Sequence, residues 1–192
     1  MYEKYGQFID GKWHKSSTGE TYEVINPANE EIIGKASKAS PEDVDKALLS
    51  AQKGLEVWKK TPPWQRAYIL RRIADKMREK QDILAKWMTL EVGKPFAEAK
   101  GEVNGAADIY EWNAEETKRI YGQTVESRFE DTRVHVYYQP VGVVAALVPW
   151  NFPLVLSARK ISTALAAGCS VIVKPDVITP GVVMEQVEIC RE

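Results

Sequence analysis

Cysteine and histidine are scarce in this sequence, with two of each among 192 residues. Cys169 and Cys190 form neither a metal-ligand spacing nor a disulfide framework. Neither has a histidine nearby in the chain to act as its base, because His14 and His135 both fall in hairpin-like segments. An excess of one charge is lacking too. The 26 basic side chains face 27 acidic ones, a net charge of −1, so no basic surplus favours nucleic acid and no acidic tail solvates a disordered region. No apolar run approaches the ~18 residues that a membrane-spanning helix needs. The opening stretch from Met1 to Trp13 mixes polar and aromatic residues and is not a secretory signal. The GxGxxG, GxxxxGK[ST] and HExxH patterns are absent, which removes the usual dinucleotide, nucleotide and zinc-protease signatures. What remains is ordinary globular composition, 44% hydrophobic and 28% charged, expected of a cytoplasmic protein with no metal, membrane or nucleic-acid partner.

Along the chain, Phe8-Ile9-Asp10-Gly11-Lys12-Trp13 has a hairpin pattern, with Asp-Gly supplying the positive-φ turn. Tyr22-Glu23-Val24-Ile25, closed by Asn26-Pro27, and Ile32-Ile33 before Gly34 add short strands. Together they predict a small antiparallel sheet at the N-terminus. Ser40-Pro41-Glu42-Asp43 opens a helix with a cap, a first-turn proline and early acids. Val44, Ala47, Leu48, Ala51 and Leu55 give it one apolar face. After Pro62-Pro63, helical periodicity runs from Trp64 to Leu90 and ends at Gly93-Lys94-Pro95. A third helix spans about Phe96 to Tyr121. From Gln123 to Gln139 the character changes. Two strand-like pieces, the second rich in β-branched and aromatic residues, flank a charged turn at 128–131. This hairpin is either a peripheral ribbon or, through its exposed edges, a contact for another chain.

The chemistry is concentrated between Val141 and Pro180. The apolar run Val143 to Val148 reads as a strand buried on both faces, stopped by Pro149. A crossover helix follows from Leu154 to Ala167. Ser170-Val171-Ile172-Val173 is a second buried strand, after which come Lys174-Pro175 and a helix begun by Thr179 and Pro180. That order makes the two strands parallel neighbours, with both turns at their carboxyl ends, where open α/β sheets bind ligands. Asn151, between Trp150 and Phe152, is a neutral amide with two donors. It either bonds its own turn or stabilises a developing oxyanion, a role worth on the order of 3–4 kcal/mol of barrier. Lys174 is either solvated or a donor to ribose hydroxyls or phosphate oxygens. Cys169, between Gly168 and a buried strand, reads as a small apolar packing group.

Pro149-Trp150-Asn151-Phe152-Pro153, then Ala164-Leu165-Ala166-Ala167-Gly168-Cys169, Lys174-Pro175 and Thr179-Pro180, together resemble the NAD(P)-dependent aldehyde dehydrogenase superfamily. The likeness extends upstream through Glu91-Val92-Gly93-Lys94-Pro95 to the first hairpin, and so covers essentially the whole chain. It implies an α/β fold with a Rossmann-like parallel sheet and flanking helices, a small N-terminal β-sheet with helices, and a protruding hairpin arm for oligomerisation. The implied division is 1–122 for the N-terminal part of the cofactor-binding domain, 123–140 for the oligomerisation hairpin, and 141–192 for the first βαβα of the Rossmann-like unit, the catalytic domain being absent. By the same resemblance Asn151 takes the oxyanion role. Val148, Pro149 and Trp150 line the cofactor cleft, and Lys174 contacts the adenosine ribose or its 2′-phosphate.

There are departures from the family pattern. Members often carry Glu or Ser three residues after the lysine, and Val177 stands here beside Asp176, so the loop leaves NAD or NADP open. Thr163 replaces a frequent proline. In the family mechanism a thiolate attacks the aldehyde, hydride passes to nicotinamide, and water hydrolyses the thioester. The nucleophile and the general-base glutamate are expected beyond this chain, whose last segment reads as a helix in progress. The 110–122 segment and Arg159-Lys160 resemble succinate-semialdehyde dehydrogenases, whereas Lys174-Pro175-Asp176-Val177 resembles aromatic-aldehyde members. The implied product is a homodimeric or homotetrameric aldehyde oxidoreductase, inactive as this chain alone. The alternative is a truncated, non-catalytic cofactor-binding or oligomerising module.

Overall fold

The computed structural model describes residues 2–192. Its N-terminal segment, as far as Ser37, is built from ribbons. After a single 3-10 turn at Tyr2–Lys4, β1 (Gln7–Ile9) and β2 (Lys12–His14) form the expected hairpin. Asp10 and Gly11 at its turn have φ of 53° and 77°, the left-handed pair that a tight hairpin needs. β3 (Thr21–Ile25) and β4 (Ile32–Ser37) also pair antiparallel. The strands therefore form two separate ribbons rather than one sheet. Ser37 Oγ joins them, accepting from Gln7 Nε2 at 3.3 Å and from the Ser16 amide at 3.0 Å. The segment is also strapped to the C-terminal helix, with Tyr5 donating to Glu185 and Trp13 Nε1 donating to Glu188 at 2.8 Å.

α1 (Pro41–Trp58) starts with a full capping box between Ser40 and Asp43. Those bonds, with further donors from Ser17, hold the Asp43 carboxyl down at about 2. The periodic stretch from Trp64 to Leu90 is two helices, not one. α2 (Pro63–Glu79) and α3 (Gln81–Val92) meet at Lys80, whose φ of −97° and ψ of 20° break the run. No glycine or proline marks the break. The signal is electrostatic, with Lys76 and Arg78 closing α2 and Asp82 opening α3, as helix dipoles prefer. α4 (Phe96–Thr117) stops a turn before the expected Tyr121. It packs on α2, α3 and α5, and this interface is the core: Leu70, Met77, Leu84, Met88, Val103 and Tyr110 are all fully buried.

β5 (Gln123–Glu126) and β6 (Arg133–Val136) form an exposed antiparallel ribbon. β7 (Val143–Leu147), α5 (Pro153–Ala166), β8 (Ser170–Lys174) and α6 (Pro180–Arg191) complete the chain. β7 and β8 are parallel, as the crossover reading requires. Burial of β7 on both faces does not hold. Ala146 is buried, but Leu147 is 64% exposed. Each strand has one hydrogen-bonded neighbour among the described residues, and the pair packs against α1 and α5, with many of its residues only half-buried.

Candidate functional site

The parallel register brings the two loaded turns to one rim. Leu147 stands opposite Lys174, and the Val148 amide donates to the Lys174 carbonyl at 3.0 Å. Val148 is buried and floors the rim, while Pro149, Trp150, Asn151 and Lys174 are exposed on it. Asp176 folds its loop back, its carboxylate accepting from the Ile178 amide at 3.0 Å and its carbonyl from the Thr179 amide at 3.2 Å. Val177 is left pointing outward, 55% exposed.

Asn151 opens onto a groove of about 570 Å³ lined by Lys94, Glu98, Glu102, Phe152 and Arg159 among others. The bonds that fix its turn do not use its side chain. α5 begins with Pro153 and has no side-chain cap of its own. Glu102 Oε1, reaching over from α4, accepts from the Leu154 and Val155 amides at 3.0 and 3.2 Å. The other Glu102 oxygen pairs with the Lys94 ammonium, which also lies 4.0 Å from the centre of the Phe152 ring.

The second turn is held in the same way. Thr179 occupies the N-cap position of α6 but forms no capping bond, and its hydroxyl oxygen is buried without a partner. Instead Glu91, on α3, accepts from the Gly181 amide at 2.5 Å, the Val182 amide at 3.0 Å and the Tyr2 hydroxyl. A Cβ on Gly181 would sit 2.3 Å from the Trp87 ring and 2.7 Å from the Glu91 oxygen, so only glycine admits this approach. Burial raises the Glu91 carboxyl to about 7 against the pull of its three donors.

The sequence reading passed over Glu91 and Glu102 as functional residues. The signal was there: each acid occupies a core position of its helix, Glu91 beside Trp87 and Met88, Glu102 beside Ala99 and Ala106. Two proline-led helices meanwhile lacked an effective local cap. Neither cysteine lines the groove. Cys169 is buried, and burial lifts the Cys190 thiol to about 11. No group of three or more candidate metal ligands exists among the described residues. A second groove of about 490 Å³, between the first ribbon and α1, includes Lys12, Lys46 and Lys53 and none of the candidate residues.

Parallel strands joined by a crossover helix, with a proline-flanked asparagine turn after one strand and a Lys-Pro turn after the next, make a βαβα unit of the α/β class. The chain belongs to the aldehyde dehydrogenase family, whose model matches residues 13–192. It is 47% identical over 173 residues to a glutarate-semialdehyde dehydrogenase of Pseudomonas aeruginosa, covering 90% of this chain and 36% of that protein. It is 46% identical over 172 residues to an NADP(+) succinate-semialdehyde dehydrogenase of Escherichia coli, with the same two coverages. A solved E. coli NADP-dependent enzyme superposes with a TM-score of 0.95 at 42% identity, over 99% of this chain and 40% of that one. The chain thus spans somewhat over a third of the length of these relatives.

Proposed function

We propose that this chain forms the oxyanion-stabilising and adenosine-binding part of an enzyme that oxidises an anionic semialdehyde with NAD or NADP. The observation that carries the reading is the shared rim. The Asn151 amide faces an open groove, on the strand end next to Lys174. Asn151 donates its amide N–H to the carbonyl oxygen as that oxygen becomes an alkoxide. A fixed neutral donor stabilises such a charge without reorganising.

The rim fits the adenosine end of a dinucleotide. Pro149 and Trp150 offer apolar surface to the base and ribose, Val148 being buried beneath them rather than lining the cleft as expected, and the Lys174 ammonium reaches ribose hydroxyls or a 2′-phosphate. Asp176 is engaged in its own turn and Val177 is neutral, so no free carboxylate at that position repels a 2′-phosphate. When bound, the dinucleotide supplies the hydride acceptor. Arg159 lines the same groove as Asn151, about two helical turns along the chain. A guanidinium there suits the remote carboxylate of a semialdehyde, the substrate type in the names of both curated relatives.

The nucleophile lies outside this chain, since neither Cys169 nor Cys190 reaches the groove. Segments 1–122 and 141–192 then act as parts of one cofactor-binding domain, and the 123–140 ribbon pairs with a second copy of the protein. In the full-length enzyme, Asn151→Ala lowers kcat about 10²- to 10³-fold with dinucleotide affinity unchanged. Equal turnover would sink the assignment.

A further inference from the structure

We propose that Glu102 and Glu91 are positioning residues, each fixing one of the two loaded turns from outside it: Glu102 sets Asn151 and Glu91 sets Lys174. The proposal rests on the roles just given to those two residues, and it assigns to two carboxylates a function exercised through the turns they hold, although Glu102 also lines the groove.

The geometry is the same twice over. α5 and α6 each begin with proline at the first helical position and have no bonded cap from their own turn. A helix start leaves several amide protons unsatisfied, and a carboxylate is the acceptor that its dipole favours. In both cases the acceptor is a glutamate on a neighbouring helix of the buried core, 6% exposed at Glu102 and 0% at Glu91. The turn therefore takes its position from α3 and α4 rather than from its own residues. Glu102 does more than cap. Its second oxygen holds Lys94, and the Lys94 ammonium sits over Phe152, the residue directly after Asn151. One carboxylate thus grips Asn151 from the helix side and, through Lys94, from the ring beside it. Glu91 grips the start of α6, which follows the Lys174-Pro175-Asp176 loop, and the close packing at Gly181 leaves that helix start little room to shift. Reacting groups displaced by about 1 Å can lose on the order of 10²-fold in rate.

The test separates the two arms. Full-length enzyme carrying Glu102→Gln, Glu91→Gln, Lys94→Met or Lys94→Arg is measured for kcat, for NADP dissociation constant by fluorescence titration, and for melting temperature. Glu102→Gln keeps an acceptor for the α5 amides but turns an NH₂ toward Lys94. It lowers kcat tenfold or more and leaves the NADP constant within about twofold. Lys94→Met does the same with the carboxylate intact, and so stands in if Glu102→Gln does not fold; Lys94→Arg restores most of kcat. Glu91→Gln raises the NADP constant about tenfold and leaves kcat at saturating NADP within about threefold. Adding Glu102→Gln to Asn151→Ala costs little further rate, because the glutamate acts through the asparagine.

Additive losses in that double variant would overturn the proposal. So would kcat and NADP affinity falling together in proportion to melting temperature, or no effect of any variant while Asn151→Ala and Lys174→Ala are impaired. An unimpaired Asn151→Ala would instead sink the functional reading itself.

Discussion

Lys174 at the end of β8 stands directly opposite Leu147 at the end of β7, so the lysine leaves its strand at the level where the neighbouring strand turns toward Asn151. Two short segments that could each be read as an ordinary loop become one rim through that single pairing.

If Lys174 holds the adenosine end, Lys174→Ala weakens NADP and NAD binding about tenfold before it changes turnover at saturation, as titration of full-length enzyme will report. The neighbouring position sets preference. Val177→Glu places a carboxylate where a 2′-phosphate would lie, and the ratio of NADP to NAD affinity falls tenfold or more. An unchanged ratio would remove the 174–177 loop from cofactor choice.

Arg159 is tested by comparing substrates. Arg159→Leu raises KM for succinate semialdehyde about 10²-fold and leaves KM for an uncharged aldehyde of similar length within about threefold. The contrast follows from the loss of a charge-assisted pair of roughly 1.5–3 kcal/mol. Equal effects on both substrates would mean that Arg159 shapes the groove without reading charge.

Glu91 gives the fold a pH signature. Its carboxyl is raised from 4.5 to about 7 by burial, so the native state holds its proton over a range in which the unfolded chain has released it. Stability from this group is fully present below about pH 4.5 and is lost as pH rises through about 7. The loss is on the order of 3 kcal/mol across the window. Urea midpoints between pH 5 and 8 will show that decline, and Glu91→Gln, neutral throughout, will flatten it. A wild-type profile parallel to the variant's would contradict the assignment.

The β5–β6 ribbon exposes Val125, Val134, Tyr137 and Tyr138 in and beside its strands. An unprotected edge of this kind pairs readily with another chain. If the ribbon pairs with a second copy of the protein, Val125→Lys weakens that association, read as a smaller mass by light scattering of the full-length protein.

Much of this architecture could be read from local chemistry. Asp10-Gly11 dictates a tight hairpin wherever it stands, Ser40 and Asp43 cap within three residues, and the β-branched run from Val171 to Val173 has few other uses, although only Ser170 beside it is fully buried. These signals are short-range, so a linear sequence displays them. The break at Lys80 carries no helix breaker, only a reversal of charge, and periodicity alone runs straight through it. The exposure of Leu147 depends on how many strands flank β7, which its own residues do not encode. Asn151 and Lys174 were identifiable as candidates because their turns follow their strands directly. Glu91 and Glu102 were not, because the amides they serve lie about 90 and 50 residues further on.

That separation sets an order of assembly. The ribosome delivers α3 and α4 before α5 and α6, so each acceptor is synthesised before the helix start it serves. Expressed without the preceding residues, the C-terminal βαβα piece would carry two proline-started helices with open first turns and would fray from both.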